Sequence, residues 1–143
     1  MASTLYNLDI LRLAASLVPS DRLENADGVA EVRAPLCGSR IQAEVAFTPD
    51  QKISALALRA SACALGQASA AILRANAVGT DVATIAQIRA QIAEMLNANA
   101  QPPQIWPDLA LLAPAKDYAS RHAAILLPYD ALLAAAEKMK LAG

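Results

Sequence analysis

Lys52-Ile53-Ser54-Ala55-Leu56-Ala57-Leu58-Arg59-Ala60-Ser61-Ala62-Cys63-Ala64-Leu65-Gly66-Gln67-Ala68-Ser69-Ala70-Ala71 changes period partway along. Lys52 to Leu58 reads as a strand, and an alanine-rich helical run leaves Cys63 and continues to about Ala77. Cys63 therefore sits at or beside a helix N-terminus. Unpaired backbone N–H groups and the positive end of the helix dipole favour an anion there. A thiol in that setting loses its proton more easily, and the thiolate is the form that binds soft metals or attacks sulfur. The other cysteine, Cys37, lies in the turn Pro35-Leu36-Cys37-Gly38-Ser39, which also borders a strand. If the sheet folds back on itself, the two turns meet at one end. The pattern points to a two-thiol site on an edge of a small α+β domain.

Outward from this stretch, the strand signals cluster. Val29 to Arg33 and Arg40 to Phe47 precede Lys52 to Leu58. The second alternates, with Ile41, Ala43, Val45 and Phe47 on one face and Gln42 and Glu44 on the other. Thr48-Pro49-Asp50-Gln51 is a short hairpin connection. Three successive strands with short loops make an antiparallel meander that needs a helical cover on one face. Leu5 to Leu17 reads as a first helix, stopped by Pro19-Ser20-Asp21. Asp81 can cap a helix from Val82 to Leu96, with Ile85, Ile88, Ile92 and Met95 on its apolar stripe. Trp106-Pro107-Asp108 opens a short helical turn through Leu112, limited by Pro114. Tyr118 to Leu141 is helical, with Pro128 expected to kink or split it. Gly66 and Ser69 read as close-packing positions, and Arg12, Asp21, Arg22 and Glu24 as a solvated helix end and loop. The fold class is α+β, a three-stranded antiparallel sheet covered on one face by helices.

Bulk composition narrows the function. The 143 residues fit one domain, 1–143, and are enough to bury a core. They are 56% hydrophobic but only 3% aromatic, so alanine-rich helices should pack closely around few large rings. The net charge is −1 with no block of like charge, which argues against a nucleic-acid groove. No apolar run reaches the ~20 residues of a membrane span, and the first residues lack the pattern of a signal peptide. A cytoplasmic protein is expected, with its cysteines as thiols rather than a structural bridge. Thioredoxin-type exchange lacks a Cys-x-x-Cys motif, and nucleotide binding lacks a glycine-rich loop. His122 has no nucleophile close by in sequence, and the carboxylates are scattered. An enzyme is not expected.

Pro35-Leu36-Cys37-Gly38-Ser39-Arg40-Ile41-Gln42 resembles the Cys-Gly-Asp turn of the IscU/SufU/NifU iron–sulfur cluster scaffolds. Ala62-Cys63-Ala64-Leu65-Gly66-Gln67-Ala68-Ser69-Ala70 resembles their second cysteine segment. Leu109 to Leu132 matches, without gaps, the segment that carries their third cysteine. The match covers about Leu5 to Leu133, and the long interval after Cys63 is of the SufU type. The resemblance implies a scaffold that takes sulfur from a cysteine desulfurase, builds a [2Fe–2S] cluster and passes it to cluster-acceptor proteins. The family site uses three cysteines and an aspartate. Here Ser39 stands at the aspartate position, Ala124 at the third cysteine and Ala123 at the basic or histidine position before it.

Two thiolates cannot alone close a zinc site or hold a [2Fe–2S] cluster, which need four ligands. His122, the single histidine, could serve as a third metal ligand beside Cys37 and Cys63 if it lies in an extended lead-in before the helix. Two residues apart on a regular helix, His122 and position 124 would face roughly opposite ways. A second copy of the chain or an external thiol could supply the remaining ligands. Other readings stay open: buried cysteines acting as small hydrophobes, a reversible Cys37–Cys63 disulfide, a zinc-stabilised fold, or a non-catalytic interaction or regulatory protein of the same pathway with a degenerate metal site.

Overall fold

The computed structural model describes residues 6–17, 22–35 and 38–142, with side chains as far as residue 138. Leu5, the Pro19-Ser20-Asp21 stop and Cys37 lie outside the described residues. The elements run α1 (Leu8–Ser16), β1 (Gly28–Arg33), β2 (Arg40–Phe47), β3 (Ile53–Ser61), α2 (Ala64–Asn76) and α3 (Val82–Ala98), then two 3-10 segments (Pro107–Asp117 and Ala119–Arg121) and α4 (His122–Ala142).

The three strands form an antiparallel meander in the order β1-β2-β3. Alternation in β2 sets the faces: Ile41, Ala43 and Val45 are buried on the inner one, and burial of Ile41 and Val45 contributes about 1.5–3 kcal/mol apiece. The Thr48–Gln51 connection closes through Gln51 N–H to Thr48 O (2.9 Å) and Thr48 N–H to Lys52 O (2.8 Å). Across the inner face α4 packs on β1 and β2, and α2 on β3; α1 lies on α2 and α3 on α4. Ile72, Ile85, Ile92, Leu109, Leu112 and Tyr129 join the strands in one apolar core.

Several boundaries differ from the sequence expectation. The first helix starts at Leu8 because the Asn7 side chain accepts from Ile10 N–H at 3.0 Å and caps it there. Strand β3 continues past Leu58 to Ser61, since Arg59 and Ser61 find ladder partners in Gln42 and Arg40. The helical turn after Trp106 runs through Pro114 to Asp117 as a 3-10 segment. Proline's fixed φ is close to that of a 3-10 turn, so the ring is tolerated at the loss of one donor. Pro128 likewise lies inside α4 without splitting it.

One polar position departs more sharply. Glu44 points to the outer sheet face as the alternation requires, yet it is only 3% exposed. The chain at Arg22 and Leu23 lies over it: Glu44 accepts from Leu23 N–H at 3.1 Å and from Arg22 Nε at 3.3 Å. Arg22 thus reaches this ion pair from a solvated loop, its own side chain 66% exposed while that of Glu44 is covered. A buried carboxylate needs such partners to offset its desolvation.

Candidate metal centre

Register fixes which segments meet at one end of the sheet. Arg33 of β1 pairs with Arg40 of β2, and Arg40 in turn pairs with Ser61 of β3. The β1–β2 turn is tied by Ala34 N–H to Ser39 O (2.8 Å) and Gly38 N–H to Ala34 O (3.0 Å). Gly38, the residue after Cys37, has φ +72°, a left-handed value that favours glycine. Ser39 is 4% exposed. The frame around Cys37 is thus defined, while Cys37 itself is outside the described residues. Two residues beyond Ser61, Cys63 occupies the N-cap of α2 with extended φ −66° and ψ 170°. Its carbonyl accepts the first helical bond, from Gln67 N–H at 2.9 Å. Its thiol makes no capping hydrogen bond; it is free and half-buried against the core edge. Gln67 folds back instead, donating through its amide to Ala62 O at 3.0 Å.

Helix α4 brings the third position of the resemblance to the same place. A Cβ built on Gly66 would lie 3.2 Å from Ala124 O and 3.5 Å from Ala124 Cβ. Ala124 is 1% exposed. Ser69, one turn further along α2, donates to Ile125 O at 2.6 Å. Gly66 and Ser69 thus serve close α2–α4 packing, as expected from sequence. The missing N–H of Pro128 removes the helical donor four residues after Ala124, in the stretch against which α2 packs.

His122 is placed differently from a residue in an extended lead-in. The lead-in is the 3-10 segment Ala119–Arg121, and His122 begins α4 with helical φ −62° and ψ −42°. Its Nε2 lies 2.9 Å from Ala115 O and its Nδ1 3.2 Å from Asn97 Oδ1. The Ala115 carbonyl can only accept, so Nε2 is the donor. Nδ1 either carries the second proton of an imidazolium or accepts from the Asn97 amide group turned about its last torsion. A metal-ligating role would require the ring to leave one of these partners. Asn97 and Ala115 come from segments whose approach to His122 no local sequence signal reveals. Beside it opens a cavity of about 480 Å³ lined by Arg33, Pro35, Arg89, Asn97, His122 and Asp130, where Arg89 Nε meets Asp130 Oδ1 at 2.9 Å.

Among the described residues, no three His, Cys, Asp or Glu side chains converge on one point. With a thiol at Cys63 and alanine at position 124, the described donors alone fall short of four ligands. Cargo bound here would need ligands beyond those the described residues bring together. Among the described residues, no helix is long and apolar enough to cross a membrane.

Comparison with known proteins places the fold. The model of the NifU-like N-terminal domain family matches residues 18–124. The structure is similar to a nitrogen-fixing NifU-like protein (N-terminal) from Brucella abortus, with TM-score 0.93, 29% identity, and 99% of each chain covered. It is also similar to a putative iron–sulfur cluster assembly scaffold protein for the SUF system from Fervidobacterium islandicum. That match has TM-score 0.83 and 20% identity, covering 94% of this chain and 98% of the other. A hypothetical protein matches with TM-score 0.78 and 21% identity over 92% and 94% of the two chains. A search of curated proteins finds no significant match.

Proposed function

This chain belongs to the family of NifU-like N-terminal domains, and from that premise we propose that it works as a scaffold-like protein of iron–sulfur cluster assembly. In this reading it is not an enzyme and acts in the cytoplasm. Cys37 and Cys63 supply its own thiolates to the cargo, which is iron, zinc or a [2Fe–2S] cluster. A cysteine desulfurase delivers sulfur and acceptor proteins take the product. A second copy of the chain or an external thiol completes the four ligands, and His122 joins them only by giving up a present partner. The observation that carries the proposal is the position of Cys63. Its thiol stands uncapped at the start of α2, two residues from the strand pair that leads back to the Cys37 turn.

The test is anaerobic reconstitution with iron and sulfide. A charge-transfer absorption that Cys63→Ser or Cys37→Ser abolishes is expected, and unchanged metal content in His122→Ala would remove the imidazole from the ligand set. A colourless protein that also binds no zinc would overturn the proposal.

A second reading is favoured by Ala124, fully buried where the resemblance puts a cysteine. In it the chain is a non-catalytic interaction or regulatory protein of the same pathway, binding an assembly component without carrying cargo. Undiminished capture of a cysteine desulfurase by the Cys37→Ser/Cys63→Ser double variant would support it; lost capture would count against it.

A further inference from the structure

The outer face of the sheet, at the end where α2 begins, carries an arrangement that strand stability does not explain. Residues paired across antiparallel strands share a face. One row there is Arg33, Arg40 and Ser61, and the next is Glu31, Gln42 and Arg59. Three arginines thus stand against one glutamate, in a chain whose net charge is −1. Arg33 lies directly opposite Arg40, a like-charge pairing that weakens a sheet, and Arg59 is diagonal to Arg40. Among the described residues Glu31 answers Arg33 alone, at 3.3 Å. Arg40 and Arg59 are exposed and have no ion pair among the described residues. Between them lies a cavity of about 290 Å³ lined by Glu31, Arg40, Gln42, Arg59, Ala60 and Ser61.

Edge protection does not account for it. Charged residues on edge strands block unwanted pairing, but Arg40 sits on the central strand β2. A local rule broken without an evident compensating gain points to a surface kept for a partner.

We propose that Arg33, Arg40 and Arg59 form a docking face for a carboxylate-rich segment of a partner polypeptide. Guanidinium groups take carboxylates in bidentate fashion. The spread of charge over two rows, with the amide of Gln42 between, suits an extended acidic segment laid across the strands better than a single small anion. Arg40 lies three residues after Cys37, and Ser61 two before Cys63. A segment held on this face would bring its protein to the edge from which thiol chemistry is reached. The inference deepens the scaffold reading, on which the choice of partner rests.

The probe is a short fluorescein-labelled peptide of alternating Glu and Ala, titrated with the full chain at low salt and followed by anisotropy. Arg40→Gln/Arg59→Gln is expected to weaken binding roughly tenfold or more, as two lost charge-assisted contacts would. Lys138→Gln, on α4, should leave it unchanged. Amide shifts caused by the peptide should concentrate on the outer face of β1, β2 and β3. Equal binding of a single-stranded oligonucleotide of the same charge would overturn the proposal, because the face would then be an unselective anion patch. So would peptide binding that the double variant leaves intact. Cys63→Ser should bind the peptide normally, which separates the two ideas. A chain that binds the peptide here but loads no metal loses the scaffold reading and keeps the docking face. A chain that loads metal and ignores the peptide does the reverse.

Discussion

The two ends of the sheet are built on opposite lines. At the hairpin end, polar groups are matched with one another. The Thr48 hydroxyl bonds the Asp50 carboxylate and accepts from Lys52 N–H at 3.0 Å. Asp27 accepts from Phe47 N–H at 2.8 Å, and Asp81 caps α3 while meeting Lys52 at 3.4 Å. The loop from α2 to α3 is stitched to β3 by Ile53 N–H to Thr80 O (2.7 Å) and Gly79 N–H to Ile53 O (2.8 Å). At the other end, Cys63 leaves its thiol without a capping bond, and Arg40 and Arg59 stand without ion pairs among the described residues. The fold is fastened at one end and leaves a thiol and two guanidinium groups uncommitted at the other. Cavity size alone would mislead: the larger space, about 620 Å³, is at the hairpin end, where Asp50 and Asp81 on its wall are already engaged.

Gly28 should give the largest effect on stability. It opens β1 opposite Val45, toward the fastened end, where α4 crosses the strand with no room for a side chain. A Cβ there would lie 2.0 Å from Ala135 O and 2.8 Å from Ala135 C. Both are backbone atoms, so no rotamer change relieves the clash and the helix must lift. Gly28→Ala is expected to cost about 3 kcal/mol, the upper part of the usual range for overpacking, measured by urea denaturation. A loss below about 1 kcal/mol would show that α4 is free to shift there, and the contrast between the ends would fail.

How much of this is legible before coordinates depends on the range of the interaction. The alternation of β2, the Thr48–Gln51 turn, the Asp81 cap and the start of α2 at Cys63 are local signals, and each appears where its residues place it. Burial of Glu44 is not local, because it depends on Arg22 and Leu23 from a distant segment. Nor is the extension of β3 to Ser61, which follows from pairing with Gln42 and Arg40 rather than from its own alternation. For the candidate site, the helix-start setting of Cys63 and the packing roles of Gly66 and Ser69 can be read from sequence. The ring contacts of His122 with Asn97 and Ala115 cannot, and the arginine rows emerge only once the register is known.

Gly66 is the counterpart of Gly28 at the cysteine end, and a smaller loss is expected. A Cβ would approach Ala62 Cβ at 2.9 Å and Ala124 O at 3.2 Å. Ala62 belongs to the bend before the helix and can move by a few tenths of an ångström more easily than a helix backbone. Alanine also recovers about 1 kcal/mol of helix propensity. Gly66→Ala should therefore destabilise by only about 1 kcal/mol net in the same urea experiment. Because Ala62 adjoins Cys63, it should change metal uptake more than it changes stability. Equal loss from the two glycine variants would erase the distinction between the ends.

The smallest effect concerns charge at Asp81. Hydrogen bonds from the Thr84 hydroxyl and backbone N–H, assisted by Lys52, hold its carboxyl down from the ordinary 3.8 to about 2. A folded-state value below the unfolded one means stability that is fully present above about pH 4 and lost as pH falls through about 2. Asp81→Asn keeps a capping side chain but removes the charge. Wild type should be slightly the more stable near neutrality, with the gap narrowing between pH 4 and pH 2 in paired thermal melts. Its side chain is 40% exposed, so its attraction to Lys52 is screened and added salt should shrink the gap further. A gap that stayed constant down to pH 2 would mean that the cap works through geometry alone and that ionisation contributes nothing at the fastened end.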